Sequence, residues 1–346
     1  MGDKKKVNVA VIGVGVVGVE ILRVLKQRKF PVNNLKVFAR SARQIDVDST
    51  KYDVEAIADE NFDGINIALF AGTEGEKGAS RLYAQKFIEK GAVVIDNGAD
   101  FRLEDGVPLV VPEVNKDKIK DNKGLIANPN CTTIQAIVAL GPIHKNFGLD
   151  KVILTSFQAT SGAGLKASAS LWDETKEIVE KNKGKDFSSV DKTISSKPAC
   201  FSDQIAFNVI PQIGGFGEHN YTSEEWKVVN ETHKILGDDS IKISATCVRV
   251  PVVTSHSEAI YFTTKKETTV EELEKVLGNS PGIKYLSNSL PSCLSAEGGD
   301  DVFVSRLRRD PFCDKSFWLW CVSDNLRKGA ALNAVQIAEC LSNNQN

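Results

Sequence analysis

The segment Val7–Gly18, VNVAVIGVGVVG, constrains the fold more than any other part of the chain. An apolar, β-branched run over Val7–Ile12 leads into Gly13, Gly15 and Gly18, and Val19–Lys26 follows with apolar residues at helical spacing. Strand, tight turn and helix in that order give G-x-G-x-x-G its physical meaning. The first glycine permits the turn, the second lets backbone approach a pyrophosphate, and the third lets helix pack on strand. Gly13, Gly15, Val16, Val17 and Gly18 are therefore expected to contact a dinucleotide.

Further apolar runs at Leu35–Ala39, Ile65–Phe70, Ala92–Ile95 and Leu109–Val111, with a helical stretch at Lys77–Lys90, continue a strand-helix alternation. That pattern predicts an α/β fold with an N-terminal Rossmann-type doubly wound sheet over residues 1–130. Ligands of such sheets collect at the carboxyl ends of the strands, which points to the turns after Ile12, Ala39 and Phe70. Beyond residue 130 the runs at Lys151–Gln158, Ile241–Val253 and Ser257–Lys265 are separated by long helical or irregular stretches. A second α+β mixed-sheet domain over 131–325 is expected, carrying catalysis and dimerisation. Lys181–Pro198 reads as a surface excursion, and 326–346 as a helix packing back on the first domain.

The end of the second strand settles which dinucleotide is expected. An acidic residue there would bond the ribose 2′-hydroxyl of NAD. This chain instead has Ala39-Arg40-Ser41-Ala42-Arg43, whose guanidinium and hydroxyl groups suit the 2′-phosphate of NADP(H). The alternative is that Arg40 and Arg43 are only solvated loop charges.

The chain's 43 basic and 45 acidic residues nearly cancel, so bulk charge offers no attraction for nucleic acid or an anionic membrane. No apolar run spans a bilayer, and the seven cysteines form no CxxC pair, so a cytoplasmic protein without a metal centre is expected. One cysteine stands apart. Cys131 follows Asn128-Pro129-Asn130 and precedes the apolar run Ile134–Leu140, which puts it in the first turn of a helix. Aligned peptide dipoles there are expected to lower the thiol pKa, and first-turn amides to bind an oxyanion. The other six cysteines read as small buried hydrophobes. Of the four histidines, His144 is followed by Lys145, and His219 and His233 lie in polar surroundings that read as surface. His256 lies in a strand-like segment broken by polar residues, where its position leaves a structural histidine and a catalytic base equally open.

A series of stretches in this order resembles the aspartate-semialdehyde dehydrogenases over essentially the whole chain. They are Val93–Arg102 (VVIDNGADFR), Val107–Asn115 (VPLVVPEVN), Ala127–Thr133 (ANPNCTT), Phe157–Gly164 (FQATSGAG), Phe207–Ile213 (FNVIPQI), Tyr221–Lys227 (YTSEEWK), Val248–Glu258 (VRVPVVTSHSE) and Asp324–Glu339 (DNLRKGAALNAVQIAE). The resemblance implies Cys131 as acyl-forming nucleophile, His256 as acid/base and Gln158 as the residue orienting substrate at the thiol. It implies Arg249 for the substrate α-carboxylate, Glu224 for the α-ammonium, and Arg102 and Lys227, with Asn130 beside them, for phosphate. Arg40, Ser41, Thr73, Ser161, Gly162 and Asn325 would line the NADP site.

The activity so implied is reversible, NADPH-dependent reduction of L-aspartyl-4-phosphate to L-aspartate 4-semialdehyde with release of phosphate, through a cysteine thioester, by a homodimer. It serves lysine, threonine and methionine biosynthesis. The glycine turn is one residue shorter than the family's usual form. Two other readings stand beside this one. An N-acetyl-γ-glutamyl-phosphate reductase would have no ammonium for Glu224 to meet, and a non-catalytic nucleotide-binding homologue would have no need to keep Cys131 and His256. Arg249 and His256, seven residues apart, would point to opposite faces of an unbroken strand, so the chain is expected to bend between them.

Overall fold

A computed structural model describes residues 6–58, 61–72 and 75–343. The first sheet contains β1 (Val7–Ile12), β2 (Val32–Ala39), β3 (Arg43–Val47), β4 (Thr50–Ala56), β5 (Ile67–Phe70), β6 (Val93–Asp96) and β7 (Leu125–Ala127) in the order β3-β4-β2-β1-β5-β6-β7. All pairings are parallel except β3 with β4. A parallel sheet buries both faces, and β1 shows it. Val7, Val9 and Val11 pack under α1 (Val16–Gln27), whereas Ala10 and Ile12 face the side of α2 (Ala79–Glu89), where Phe38, Phe62, Phe70 and Phe87 cluster. Phe62 and Phe87 stack with ring centroids 4.0 Å apart.

The strand order turns back on itself at β1, which lies between β2 and β5. Connections leave in opposite directions there, so the turns after Ile12, Ala39 and Phe70 border one crevice. A four-residue helix, α3 (Pro112–Asn115), leads through β7 to α4 (Cys131–Phe147). α4 starts at the crevice and runs into the core of the second sheet, where Ile134, Ile137 and Val138 are fully buried.

The second sheet contains β8 (Leu149–Gln158), β9 (Lys242–Arg249), β10 (His256–Thr264), β11 (Ile283–Leu286), β12 (Val302–Arg309) and β13 (Ser316–Ser323) in the order β11-β12-β13-β10-β8-β9. It mixes parallel β8–β9 and β11–β12 pairs with antiparallel neighbours. Between these strands come α5 (Leu165–Lys181), α6 (Ser223–Leu236), α7 (Val270–Gly278) and the short α8 (Cys293–Ala296). Val152, Leu154, Ile260 and Phe262 point inward to the core that α4, α6 and α7 complete. The alternate residues Ile153, Phe157, Tyr261, Trp318 and Trp320 form an aromatic outer face, with Phe157 on Trp320 at 5.6 Å and Tyr261 on Trp318 at 5.1 Å.

The chain ends in α9 (Leu332–Asn343), whose Val335, Ile337 and Ala338 share the first sheet's core with α1. The helix expected from residue 326 differs at its start, because Arg327–Ala331 is a π-helical stretch. Two other expectations are corrected. The strand read over Ile241–Val253 ends at Arg249, since Pro251 cannot continue a ladder and Ser255 has φ +74°. Leu109–Val111 makes only one bridge, Leu109 to Ala127, hemmed between Pro108 and the proline that opens α3. Nor are the remaining six cysteines uniformly buried. Cys247 and Cys321 are, Cys293 and Cys340 are half-buried, and Cys200 and Cys313 lie exposed in polar loops.

Candidate active site

Three strand ends and two helix starts converge beside the crevice. Gln158 and Arg249 are the last residues of β8 and β9 and pair across that parallel ladder. His256 is the first residue of β10, so the bend expected between Arg249 and His256 is present as the loop Val250–Ser255. The amides of Thr160 and Ser161 hold this loop by donating to the Val252 and Val253 carbonyls.

Cys131 opens α4, with Asn130 as N-cap. The Asn130 Oδ1 accepts from the amides of Thr132 at 2.9 Å and Thr133 at 3.3 Å. Those two amides are thereby satisfied, so they are not free to serve the oxyanion expected at this helix start. Gly329, in the π-helical stretch, closes the other side of Cys131. A methyl group at Gly329 would lie 2.9 Å from the Cys131 Cβ.

The Cys131 Sγ lies 3.4 Å from Nε2 of His256. The Ala159 amide donates to His256 Nδ1 at 3.0 Å, so the neutral ring carries its proton on Nε2, facing the sulfur. Gly162 lies between the two substrate-facing groups. A Cβ on it would come within 3.2 Å of His256 and 3.3 Å of Arg249. Arg249 donates to the Ala159 carbonyl at 2.5 Å and lies over the ring of Phe201.

Charge in this site runs opposite to the helix-dipole expectation. Removal from water, helped by Glu224, pushes the Cys131 thiol up to about 11, against the pull of Arg102, Arg249 and Lys227. Burial, then Arg249, lowers His256 to about 3. Cys131 and His256 therefore face each other as a neutral thiol and a neutral imidazole.

α6 supplies the anions and one cation. Its capping box, with Thr222 and Glu225, fixes the helix start, so Glu224 and Lys227 point to the cavity one turn apart. Glu224 Oε1 accepts from Asn130 at 3.0 Å and Gln158 at 3.3 Å, and Oε2 meets Lys227 at 3.4 Å. Arg102 enters from the first sheet. Its Nε donates to the Asn128 carbonyl at 2.9 Å, and its terminal nitrogens reach Glu231 at 3.1 Å and the Asn97 carbonyl at 2.8 Å. A cavity of 290 Å³ is lined by Cys131, Gln158, Glu224, Lys227, Arg249 and Arg102, with Asn130 at its edge.

The residues expected to bind cofactor divide between two places. Gly13, Gly15, Arg40, Ser41 and Arg43 line a separate cavity of 780 Å³ at the switch point, together with Lys77. Val17, Ser161, Gly162 and Asn325 line the catalytic cavity instead. Asn325 holds Ser161 at 3.1 Å and the Ser255 amide at 2.9 Å. Val16 opens α1, whose first amides lie outside the helix's own ladder.

Gly18 acts by absence, because a Cβ there would meet the Gly13 carbonyl at 1.9 Å. Gly13 has φ +99°, and a Cβ on it would meet the Ala71 carbonyl at 2.6 Å, while Gly15 has open space beside it. Thr73 lies outside the described residues. Sequence reading missed Glu231, Gly329, Ala159 and Lys77. Glu231 carried a readable signal, as it falls on the same α6 face as Glu224 and Lys227. Its reading of the minor histidines as surface also changes: His144 and His233 are half-buried, each bonded to backbone.

A cavity at a parallel sheet's switch point, with a helix-start cysteine facing an imidazole in the neighbouring cavity, fits a nicotinamide-dependent dehydrogenase. Residues 8–122 match the family description "Semialdehyde dehydrogenase, NAD binding domain", and residues 140–328 match "Semialdehyde dehydrogenase, dimerisation domain". The chain is 46% identical to the aspartate-semialdehyde dehydrogenase of Aquifex aeolicus, covering 96% of this chain and 97% of that one. It is 41% identical to that of Bacillus subtilis, with 96% and 97% covered. The crystal structure of aspartate semialdehyde dehydrogenase II from Vibrio cholerae superposes with a TM-score of 0.90 at 39% identity, covering 97% and 98%. The chain belongs to the aspartate-semialdehyde dehydrogenase family.

Proposed function

We propose that this chain catalyses the reversible, NADPH-dependent conversion of L-aspartyl-4-phosphate to L-aspartate 4-semialdehyde and phosphate. The observation that carries this reading is one cavity holding Cys131, 3.4 Å from His256, between a carboxylate-and-ammonium pair of partners, Arg249 and Glu224, and a phosphate pair, Arg102 and Lys227. The substrate bears those three charges. Glu224 favours a free ammonium over an acylated nitrogen, which sets the N-acetyl-glutamyl substrate aside. A relative from Vibrio cholerae, described as complexed with aspartate semialdehyde, supports the same substrate.

In the reductive direction the Cys131 sulfur bonds to the acyl carbon, the carbon–oxygen bond to phosphate breaks, and the thiol proton leaves with the phosphate group. Arg102 and Lys227 receive that phosphate. NADPH supplies the hydride that reduces the resulting thioester. Arg40 and Ser41 hold the 2′-phosphate, and the Gly13–Gly18 turn holds the pyrophosphate.

Gln158 orients the acyl oxygen; His256, charged by a proton taken from solvent, gives its Nε2 proton to the oxygen of the hydride-reduced tetrahedral carbon, and on collapse that proton returns through the imidazole to the sulfur. Acid/base service by His256 also requires the Ala159 amide to release Nδ1, because an imidazolium carries a proton there. Collapse of the thiohemiacetal restores the thiol and frees the aldehyde.

The aromatic outer face of the second sheet takes a second copy of the chain, giving a homodimer. Among the described residues no helix is long and apolar enough to cross a membrane. The reading further places the protein in the cytoplasm.

The test is phosphate-dependent reduction of NADP by aspartate semialdehyde, with NAD as the comparison and Cys131→Ala as the control. Wild type should reduce NADP faster than NAD, and the variant should lose at least about a thousandfold in rate. Equal rates for wild type and variant would remove the thiol from the mechanism.

A further inference from the structure

Glu231 is 1% exposed and lines neither cavity, yet both its oxygens are committed to the active site. Oε1 accepts from the Arg102 guanidinium at 3.1 Å. Oε2 accepts from the backbone amide of Asn130 at 2.7 Å, in the residue immediately before the nucleophile. A carboxylate so buried is destabilised unless both oxygens are matched by donors, and here the matching donors are two parts of the machinery that belong to different elements.

Spacing on α6 explains how this comes about. Glu224, Lys227 and Glu231 follow one another at three and four residues, so they share one helical face. Glu224 and Lys227 reach the cavity, while Glu231, a turn further on, lies beneath Arg102 and the Asn130 turn. The Asn128 and Asn97 carbonyls hold the guanidinium on two other sides.

We propose that Glu231 is a positioning residue for the phosphate half of the reaction. It fixes the distance between the phosphate-binding guanidinium and the turn that carries Cys131, and so places phosphate for attack on the thioester carbon. The inference rests on the functional reading above. It assigns Glu231 no contact with substrate and no part in hydride transfer, and that difference makes it testable.

The experiment compares wild type, Glu231→Gln and Glu231→Asp in two assays. The first is a single turnover of aspartate semialdehyde with NADP and no phosphate, in which the burst of reduced nicotinamide reports thiohemiacetal oxidation alone. The second is the steady state with varied inorganic phosphate. Burst amplitude and rate should stay within about twofold of wild type in both variants, while kcat/KM for phosphate falls by about tenfold or more. The loss should be larger for Glu231→Gln than for Glu231→Asp, which keeps the charge.

Because Glu231 acts through Arg102, Glu231→Gln should add nothing to the phosphate defect of Arg102→Ala. An unchanged phosphate dependence in a variant with a normal burst would overturn the inference, as would fully additive losses or equal losses in both assays. A wild-type protein that shows no burst would instead sink the functional reading itself.

Discussion

The sulfur of Cys131 is where expectation and structure differ most usefully. A helix start argues for a thiolate, yet the desolvated site and Glu224 hold the thiol near 11, and His256 near 3 cannot take its proton at neutral pH. The resting site is a neutral pair, so nucleophilicity has to arise with substrate in place. Alkylation of Cys131 by iodoacetamide in the free protein should therefore be slow at neutral pH. It should rise about tenfold per pH unit through pH 9, because the protonated form persists until pH passes the raised pKa. A plateau beginning between pH 5 and 7 would mean a thiolate–imidazolium pair and contradict this picture. The turn and helix start marked Cys131, and the family resemblance marked His256 and Gln158, but neither could show that Asn130 consumes the amides of Thr132 and Thr133 or that the Ala159 amide fixes the imidazole tautomer. Both depend on backbone positions set by elements far away in sequence.

At the scale of elements, β1 and the turn into α1 were legible because a doubly buried strand and a steric glycine requirement both leave marks in a single short segment. The β3–β4 hairpin left no such mark. Its strands are largely polar, and its turn uses Asp48 and Ser49 at positive φ in place of glycine. β12 and β13 also escaped notice. β12 ends in the charged run Arg306–Arg309, and β13 is apolar on both faces because its outer one is aromatic, which hides the two-residue alternation.

The π-helical stretch before α9 is held by a buried network that no local pattern reveals. Lys328, fully buried, bonds Glu113 at 2.6 Å, Gln336 at 2.8 Å and Asn333 at 2.9 Å. Lys328→Ala leaves Glu113 as an uncompensated, nearly buried charge. Chemical denaturation should show a loss of about 3–5 kcal/mol, and a loss below about 1 kcal/mol would show that the network does not anchor the stretch.

For the whole molecule, the division of labour follows from where apolar surface is left uncovered. Both faces of the first sheet are closed by helices, whereas the second sheet has its long helices on one face and, beyond the short α8 beside Ser257, Ile153, Tyr261, Trp318 and Trp320 on the other. Ile153 is 44% exposed. An aromatic face of this kind fits the subunit interface of the homodimer proposed above. Tyr261→Glu combined with Ile153→Glu should convert the dimer to monomer in analytical ultracentrifugation, and a dimer that persists at micromolar concentration would place the interface elsewhere. The two-domain plan was readable because strand-helix alternation stops near α4. The outer face was not, since exposure of alternate residues in β8 and β10 appears only once their pairing is known.

All of these scales meet at one bond. The protein should be mixed with L-aspartyl-4-phosphate in the absence of nicotinamide cofactor, quenched in acid, digested and examined by mass spectrometry. The account predicts an aspartyl acyl group on the peptide containing Cys131, on that cysteine alone, with release of a matching amount of phosphate. An unmodified Cys131, or the acyl group carried by any other residue, would contradict it.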